Sequence, residues 1–489
     1  MFTNLIDKID NRINPIVVKE IRQYLSGRVI IPLILLTSLL ELGAMFMFMA
    51  SQYNNIDGRG QEFFSTIMIV LSLACLFGIG FPTIGRISRE RNPEPDLMYA
   101  TIMSPFKIVS GKFFSGMTMV ILMISLCLPF MCVSYYLRGI DLPTILIAVY
   151  WLFIISIPCL MGMVLFGLLC ASVVYRILMF FVALSTFFTI VSSIETLMRG
   201  LSFTGSDIAL ILFWVTFIML LITGCLYVLA VAAISHITSN RAMPVKLYLT
   251  GAWLLSLLAI LTMVSDTAAR KNAIEMWAVI ACIAIFIYIP IAICERDEQS
   301  RRVLRRVPKN IFGRCFFFLF SSGSAGGLTF ILAGIILTLI ISGSIYPSYS
   351  DNKSLSFGGI AMYCMSYAFI DTSLKNWLKR HFSWIHPLAI FLVMSSVLIF
   401  LPLLISFIIH QERCLESDNS AMFMLFSPAI FGFNGYAVAG FFVSAILLLI
   451  GMLVMSREFF RQLKQYFPAR QQETTVTEPI TAKLENVDA

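Results

Sequence analysis

The sequence predicts an all-α polytopic membrane protein, and its composition, its apolar runs and its charge distribution support that fold class. Of the 489 residues, 59% are hydrophobic and 13% are charged, whereas soluble domains carry roughly a quarter charged residues. Apolar runs of about 20 residues, enough to cross a hydrocarbon core of roughly 30 Å, recur along the chain. A soluble enzyme is therefore excluded. The net charge of +8 is assigned to loop orientation rather than to nucleic-acid binding.

Hydropathy in windows of about 19 residues predicts about twelve transmembrane helices in two six-helix halves. Those of the first half lie at 29–50, 64–85, 113–136, 144–172, 177–197 and 208–234. Those of the second half lie at 247–265, 276–294, 327–346, 357–374, 387–409 and 429–455. The predicted domains are a cytoplasmic amphipathic segment at 1–28, the two halves at 29–234 and 247–455, and a polar cytoplasmic tail at 456–489.

The distribution of Lys and Arg tests this helix count, because a missed or added helix would exchange the sides of every later loop. With both termini cytoplasmic, 28 of the 35 basic residues lie inside and 7 lie outside. The tenth helix is the weakest prediction, since Gly358, Gly359 and Asp371 interrupt or end its apolar stretch. Without that helix the basic cluster from Lys375 to Arg380 would lie outside, so the charge bias favours twelve helices.

Two long cytoplasmic loops, 86–112 and 295–326, each follow the second helix of a half. Their equivalent positions predict two parallel halves related by an axis along the membrane normal. The second loop carries four arginines at i, i+4 spacing, which predicts a short basic helix ended by Pro308. We expect this helix to contact an ATPase or anionic lipid headgroups, or to serve only as a positive-inside signal. The arginines are Arg301 with Arg305 and Arg302 with Arg306.

The sequence carries no catalytic or metal-binding signature, so no catalytic residue, metal ligand or bound cofactor is predicted for this chain. It has no HExxH helix, and its four histidines are scattered at or near helix ends. The one Gly-Lys pair that follows a serine, Gly111-Lys112, does not complete a P-loop. Phe106 stands at the first glycine position of that motif, and Phe113 stands where Ser or Thr must bind magnesium. Any ATP must therefore be handled by another polypeptide.

Glu41 is the one acidic residue well inside a predicted span. Ion-coupled carriers place titratable side chains in the membrane, because moving a proton or sodium ion requires groups that change charge there. Glu41 is thus a candidate contact for a substrate or a proton. The alternative is a carboxyl that faces the helix bundle and is hydrogen-bonded there.

A short helix is predicted before the first span. Asn14 can serve as its N-cap, and Pro15 favours the first helical position. The apolar residues on one face predict a helix that lies in the membrane interface. They are Val17, Val18, Ile21, Tyr24 and Leu25.

The loop after the second predicted span contains a second short helix. Pro93 and Pro95 break the preceding helix, Asp96 can cap a new one, and Pro105 ends it after about two turns. The result is a rigid exposed helix between two spans. On its shape alone it could equally be an ordinary capped connector.

The residues of this loop resemble those of type-2 ABC exporter permeases. The matching residues are Glu90-Arg91, Leu97-Met98, Ser104-Pro105-Phe106, Ile108-Val109 and Gly111-Lys112. The stretch from Asn14 to Arg22 resembles the amphipathic elbow helix of the same family. The match covers about a third of the chain. It departs from the family at Asn92, where a second glutamate is usual, at the added prolines, and in the second half, where Glu295-Arg296 is the nearest counterpart.

The resemblance implies a permease subunit of an ATP-binding cassette exporter in the bacterial cytoplasmic membrane. ATP and Mg²⁺ would be bound by a separate ATPase subunit, and the permease would pair with itself or with a second permease in the lipid bilayer. Asp96 to Met103 would be the coupling helix that fits the ATPase, with Glu90 and Arg91 as gate-side charges. The alternatives are an ion-coupled secondary transporter of 6+6 design and a non-transporting membrane scaffold. The ATPase-coupling residues implied are Glu90, Arg91, Asp96, Leu97, Met98, Thr101, Ser104, Pro105, Gly111 and Lys112.

Overall fold

The computed structural model describes thirteen segments of the chain. They are about 90% helical and contain no strand, and nine of their helices are long and apolar enough to cross a membrane. The chain divides into two compact units, Met1–Ser235 and His236–Ala489. The described residues are 14–27, 30–50, 59–91, 103–137, 140–169, 184–189, 191–192, 205–236, 239–264, 267–295, 297–345, 351–381 and 437–467.

The first unit begins with a short helix and continues with long apolar ones. Five of the six helices predicted for this half are present, and the fifth, at 177–197, lies mostly outside the described residues. The second span is one continuous helix interrupted by a π-helical segment. The elements are α1 (Pro15–Leu25), α2 (Ile30–Ala50), α3 (Arg59–Leu73), the π segment (Ala74–Ile79), α4 (Gly80–Arg91), α5 (Pro105–Tyr136), α6 (Leu142–Leu169) and α7 (Gly205–Ile234).

The core of the first unit is formed by α3, the π segment, α5 and α6. Phe63, Phe64 and Ile67 follow the three- and four-residue spacing of one helix face, and all three are fully buried. They belong to the same core cluster as Met123 and Cys127 of α5. The core is therefore built from one face of each helix.

The outer face of α2 is apolar and exposed. Leu35, Leu39 and Met47 are 65%, 66% and 73% exposed. A continuous apolar surface of this kind is unfavourable in water and matches the hydrocarbon of a bilayer. Exposure and composition together agree with a membrane-embedded protein.

The second unit contains the same kinds of element. The predicted helix at 387–409 lies outside the described residues, and the last predicted span is described from Ala437 onward. The elements are α8 (Ala242–Met263), α9 (Thr267–Ile287), α10 (Ile289–Cys294), α11 (Arg301–Leu304), α12 (Ile311–Phe320), α13 (Ser324–Ile345), α14 (Asp351–His381) and α15 (Ala437–Tyr466).

The weakly predicted tenth helix forms and is longer than expected. α14 has 31 residues, although it is not among the nine helices that meet the length and hydropathy requirements for a span. Asp371, expected near a helix end, lies well inside α14 and is 1% exposed. Gly451 of α15 lets the two helices approach closely, because a Cβ there would lie 3.1 Å from Cβ of Phe369.

Candidate functional site

Helix α1 begins where the sequence predicts and is tied to the start of α5. Asn14 Oδ1 accepts a hydrogen bond from the Ile16 amide at 3.2 Å, and its Nδ2 donates to the Lys107 carbonyl at 2.6 Å. The buried face differs from the predicted one: it consists of Ile16, Glu20 and Tyr24. These three residues are four apart and so share one side of the helix. The predicted Val17, Val18 and Ile21 are half-buried, and Leu25 is exposed.

A largely buried group of charges joins α1 to the second and third spans. We call it the first charge cluster, and its members are Glu20, Arg86, Glu90 and Lys112. Lys112 Nζ lies 2.8 Å from Glu20 Oε1 and 2.5 Å from Glu90 Oε2. Arg86 Nη2 lies 3.3 Å from the other oxygen of Glu20. Lys112 is 2% exposed and Glu20 is 4% exposed. Two carboxylates thus share two cations, and Glu20 and Lys112 do so away from water, where charges must be paired.

Tyr24 adds a neutral hydrogen bond and an aromatic face to this cluster. The Arg86 guanidinium lies 3.6 Å above the Tyr24 ring, within the range of a cation–π interaction. The Tyr24 hydroxyl shares a 2.5 Å hydrogen bond with Thr83 Oγ1. Burial raises the pKa of Tyr24, so the phenol remains neutral and keeps this bond at physiological pH.

The first charge cluster closes the base of the loop that follows the second span. Glu90 lies at the end of α4 and Lys112 lies two turns into α5, so their ion pair joins the two ends of that loop. Ser104 is the N-cap residue of α5 and Pro105 its first residue. Arg91 ends α4. The predicted coupling residues Asp96, Leu97, Met98 and Thr101 lie outside the described residues.

Gly111, next to Lys112, provides a test of how closely α1 must approach α5. A Cβ at Gly111 would lie 2.7 Å from both Cβ and Cγ2 of Ile16. Since these atoms adjoin the α1 backbone, we expect Gly111→Ala to displace α1 and to destabilise the protein by about 1–3 kcal/mol, the usual cost of overpacking. Thermal unfolding in detergent would measure the change.

The matched control is Gly85→Ala in α4. A Cβ at Gly85 meets nothing within 4 Å, and alanine is favoured over glycine within a helix. Gly85→Ala should therefore leave the unfolding temperature unchanged or raise it. Equal unfolding temperatures for the two variants would contradict the close α1–α5 contact.

The second unit holds an equivalent buried group, here called the second charge cluster: Lys246, Glu295, Asp297 and Lys375. Lys246 is fully buried, donates to the carbonyls of Ser321 at 2.6 Å and Leu319 at 3.2 Å, and lies 3.8 Å from Glu295 Oε2. Lys375 donates to the Ile293 carbonyl at 2.5 Å and lies 3.8 Å from Asp297 Oδ2. This cluster binds backbone carbonyls as well as carboxylates.

The second charge cluster also closes a loop, the one at 295–326. Glu295 Oε2 accepts a hydrogen bond from the Gly323 amide at 2.8 Å, and Asp297 Oδ1 accepts from the Ser324 amide at 3.1 Å and from its hydroxyl at 2.6 Å. Gly323 has φ +141°, which favours glycine. Burial raises the pKa of Glu295, and the nearby Lys246 opposes that rise. Two carboxylates at the start of the loop, Glu295 and Asp297, therefore hydrogen-bond to backbone amides at the end of the loop.

The basic helix predicted in this second loop is shorter than expected. α11 contains only Arg301–Leu304; Arg305 is its C-cap, and the chain then turns. Arg301 and Arg305 are exposed, whereas Arg306 lies beyond the helix, and the side chain of Arg302 lies outside what the structure describes. A further helix that the sequence did not predict, α12, follows the turn.

Sequence reasoning missed several charged residues at these two loops. Glu20 could have been found, because it lies four residues from both Ile16 and Tyr24 on the buried face of α1. Lys246 lies in the first turns of α8, where a cation would normally be interpreted as a loop-orientation signal. Asp297 and Lys375 are 78 residues apart in the sequence, and no local pattern predicts their contact.

Glu41 lies fully buried in α2. The Cys127 thiol is its polar neighbour. Among the described residues, neither carboxylate oxygen has a nitrogen or oxygen hydrogen-bond partner. An unpaired charge inside a membrane is costly, so this carboxyl must be neutral or meet a cation. The carboxyl faces the helix bundle, as the second interpretation above expects, with the Cys127 thiol as its hydrogen-bonding neighbour.

Replacing Glu41 should stabilise the protein rather than destabilise it. Glu41→Met removes an unsatisfied polar group while keeping a similar side-chain length, and we expect a gain of about 1–3 kcal/mol. The gain would be measured as a higher midpoint of thermal unfolding in detergent.

Thr37, one turn earlier, supplies the control. It is also buried, but its hydroxyl donates to the carbonyls of Leu33 and Ile34 at 3.0 and 2.9 Å. Thr37→Val should therefore give no such gain. A Glu41→Met protein that unfolds at a lower temperature than Thr37→Val would show that the carboxyl has a partner.

Comparison with known proteins adds no family assignment: no family model matches the sequence, and no curated protein or solved structure matches it.

Proposed function

We propose that this chain is the membrane-spanning permease subunit of an ATP-binding cassette exporter in the bacterial cytoplasmic membrane. It would cross the membrane twelve times in two six-helix halves with both termini inside. ATP and Mg²⁺ would be bound by a separate ATPase subunit, and the permease would function as a pair, with itself or with a second permease. The resemblance at residues 14–22 and 90–112 supports this proposal.

The observation that carries the proposal is the closure of both long loops by buried charges. In the first unit Glu90 pairs with Lys112 across the loop at 2.5 Å. In the second unit Glu295 holds Gly323 across the corresponding loop at 2.8 Å. Glu90 and Glu295 are the acidic members of the Glu-Arg pairs at the starts of these two loops. A loop held rigidly at its base can transmit force, whereas a loosely attached loop would absorb it.

The first charge cluster explains how movement of the loop would reach the spans. A partner that displaces the 92–102 segment would move Glu90 and Lys112 together, because they are directly paired. Glu20 and Arg86 would carry the same movement to α1 and to the last turns of the second span. A rigid-body displacement of this kind is a common route of conformational coupling. In this proposal Ser104 and Pro105 fix the start of α5, and Gly111 permits the close contact with α1.

The experiment is affinity purification of the full-length protein from its own cells in mild detergent, followed by partner identification and an ATPase assay. We expect a stoichiometric P-loop ATPase that is lost when Asp96 to Met103 is replaced by a Gly/Ser linker of equal length. Ser51 to Gly58, also eight residues, lies on the proposed outer side and supplies the control replacement. Retention of the ATPase in the first variant, or its loss in both, would overturn the coupling role.

The ion-coupled carrier is the second candidate, and the buried carboxyl of Glu41, which has no cation beside it among the described residues, favours it. A carrier of this kind would transport without an ATPase and would depend on a titratable group in the membrane. Purification without any ATPase, together with loss of gradient-driven transport in Glu41→Gln, would place this candidate first.

A further inference from the structure

The loop between α10 and α13 carries an unusual concentration of positive charge. Between residues 299 and 326 the sequence has six basic residues and no acidic one. A cluster of four to eight basic residues beside a membrane span is the pattern that attracts anionic lipid headgroups. The six are Arg301, Arg302, Arg305, Arg306, Lys309 and Arg314.

The C-terminal end of α12 packs against the ends of the spans. The Phe318 ring lies 5.5 Å from both Phe459 and Tyr466 in the last turns of α15. The Phe320 ring lies 5.7 Å from Phe330, in the second turn of α13. Because these contacts involve the terminal turns of two candidate spans, α12 lies at the level where those spans leave the hydrocarbon. That level is the membrane interface.

The N-terminal half of α12 presents an exposed apolar surface in the described part of the chain. Phe312 is 91% exposed, Ile311 is 70% exposed and Phe316 is 54% exposed. Large apolar side chains grouped in this way mark a surface that contacts something other than water. Phenylalanines on one face with basic residues nearby are typical of helices that lie in the membrane interface.

Basic side chains surround this apolar face. Arg305, Arg306 and Lys309 are exposed in the turn that precedes α12. Arg314 is directed elsewhere: its Nε donates to the Pro308 carbonyl at 3.3 Å, and its guanidinium lies 5.6 Å from the Phe467 ring. Three cations are therefore available beside three exposed apolar side chains. This arrangement suits a lipid surface, where anionic headgroups lie next to the acyl chains.

Helix α1 provides a contrast within the same protein. It is also short, amphipathic and next to a span, but Lys19, Arg22 and Gln23 occupy its exposed side. A polar exposed side suits water, whereas the exposed apolar residues of the N-terminal half of α12 do not. The difference between the two helices points to a specific role for α12.

We propose that residues 305–316 form a membrane-surface anchor that binds anionic phospholipid. Ile311, Phe312 and Phe316 enter the interfacial layer of the cytoplasmic leaflet, and Arg305, Arg306 and Lys309 bind the phosphate groups of anionic headgroups. The anchor does not depend on the proposed transport activity. It would fix the second loop to the bilayer, whichever partner the first loop binds.

The test places a fluorophore in the anchor of the full-length protein. Phe312→Trp would be reconstituted in nanodiscs with and without phosphatidylglycerol, using phosphatidylcholine brominated on its acyl chains. Because Phe312 is almost fully exposed, its replacement should not disturb folding, and size-exclusion chromatography would check this. Because the parent protein already has six tryptophans, the signal is the difference in tryptophan quenching between the variant and the parent. Acyl-chain bromine should quench the added tryptophan. Quenching by aqueous iodide but not by bromine would overturn the proposal.

The headgroup contacts are tested separately by lipid analysis. Phosphatidylglycerol that copurifies with the protein would be compared between the parent and a variant with Arg305, Arg306 and Lys309 replaced by Gln. Each charge contributes roughly 1 kcal/mol at an anionic surface, so enrichment should fall about fivefold for each charge removed. The control replaces Lys19 and Arg22 on α1 and should change enrichment much less. Equal losses of phosphatidylglycerol in the two variants would overturn the specific site.

One further outcome of the quenching experiment would overturn the lipid anchor. It is protection of the Phe312→Trp side chain from iodide only when a protein partner is present.

Discussion

Lys112→Met is expected to destabilise the protein by about 3–5 kcal/mol, the usual cost of leaving a buried charge without its partner. Lys112 is 2% exposed and is paired with two carboxylates, Glu20 at 2.8 Å and Glu90 at 2.5 Å. Removing the ammonium leaves both carboxylates in a site that excludes water, with only Arg86 to balance them. The measurement is thermal or chemical unfolding in detergent, combined with the yield of monodisperse protein.

Two further variants separate this effect from a general intolerance of methionine. Lys107→Met, five residues away at an exposed position, should change stability by less than about 0.5 kcal/mol. Combining Glu90→Gln with Lys112→Met removes one charge of each sign, leaves the Glu20–Arg86 pair in place and should recover much of the loss. A double variant no more stable than Lys112→Met would argue against charge pairing as the cause.

Lys246→Met in the second unit is expected to cost a similar amount, about 3–5 kcal/mol. The methionine cannot donate to the carbonyls of Ser321 and Leu319, which Lys246 bonds at 2.6 and 3.2 Å. It also leaves Glu295 without its nearest cation. Lys464→Met, at an exposed position in α15, is the control and should be nearly neutral.

The loss in Lys246→Met should depend on pH, because Glu295 has a raised pKa. A carboxyl with a raised pKa in the folded state contributes stability fully below its unfolded pKa of about 4.3 and loses it as the pH rises through the folded value. In the parent protein Lys246 opposes this rise in the pKa of Glu295. Lys246→Met should therefore raise the pKa of Glu295 further. The stability difference from the parent protein should grow as the pH rises above the unfolded pKa of Glu295. A difference that shrinks over this range would contradict the contact.

The sequence was most informative where the physical requirement was local. The start of α1 at Pro15 follows from a side-chain cap and a fixed φ, both determined by adjacent residues. Long apolar runs likewise predicted the spans, since only a helix satisfies its own backbone in hydrocarbon. The π segment at Ala74–Ile79 was not predicted, because nothing in that apolar run distinguishes a wide turn from an ordinary one.

The candidate sites were predictable only in part, because their residues meet through tertiary contacts. Glu90 and Lys112 were identified from the family resemblance, but their mutual contact and the burial of Glu20 were not. In α1, the prediction of a single apolar face gave no indication that a charged residue would be buried there. The structure instead buries Glu20, because Lys112 and Arg86 lie on the opposing helices with the matching charge.

The π segment also determines the rotational phase of the second span. A π turn contains one residue more than an α turn, and one residue turns a helix by about 100°. Phe63 and Ile67 on one side of the segment face the core, while Arg86 and Glu90 on the other side reach the first charge cluster. The extra residue therefore changes the direction in which Arg86 and Glu90 point, relative to Phe63 and Ile67, by about 100°. Rewinding the wide turn as an ordinary α-helical turn would rotate the charged end of the span away from Glu20 and Lys112 while its apolar end stayed packed in the core.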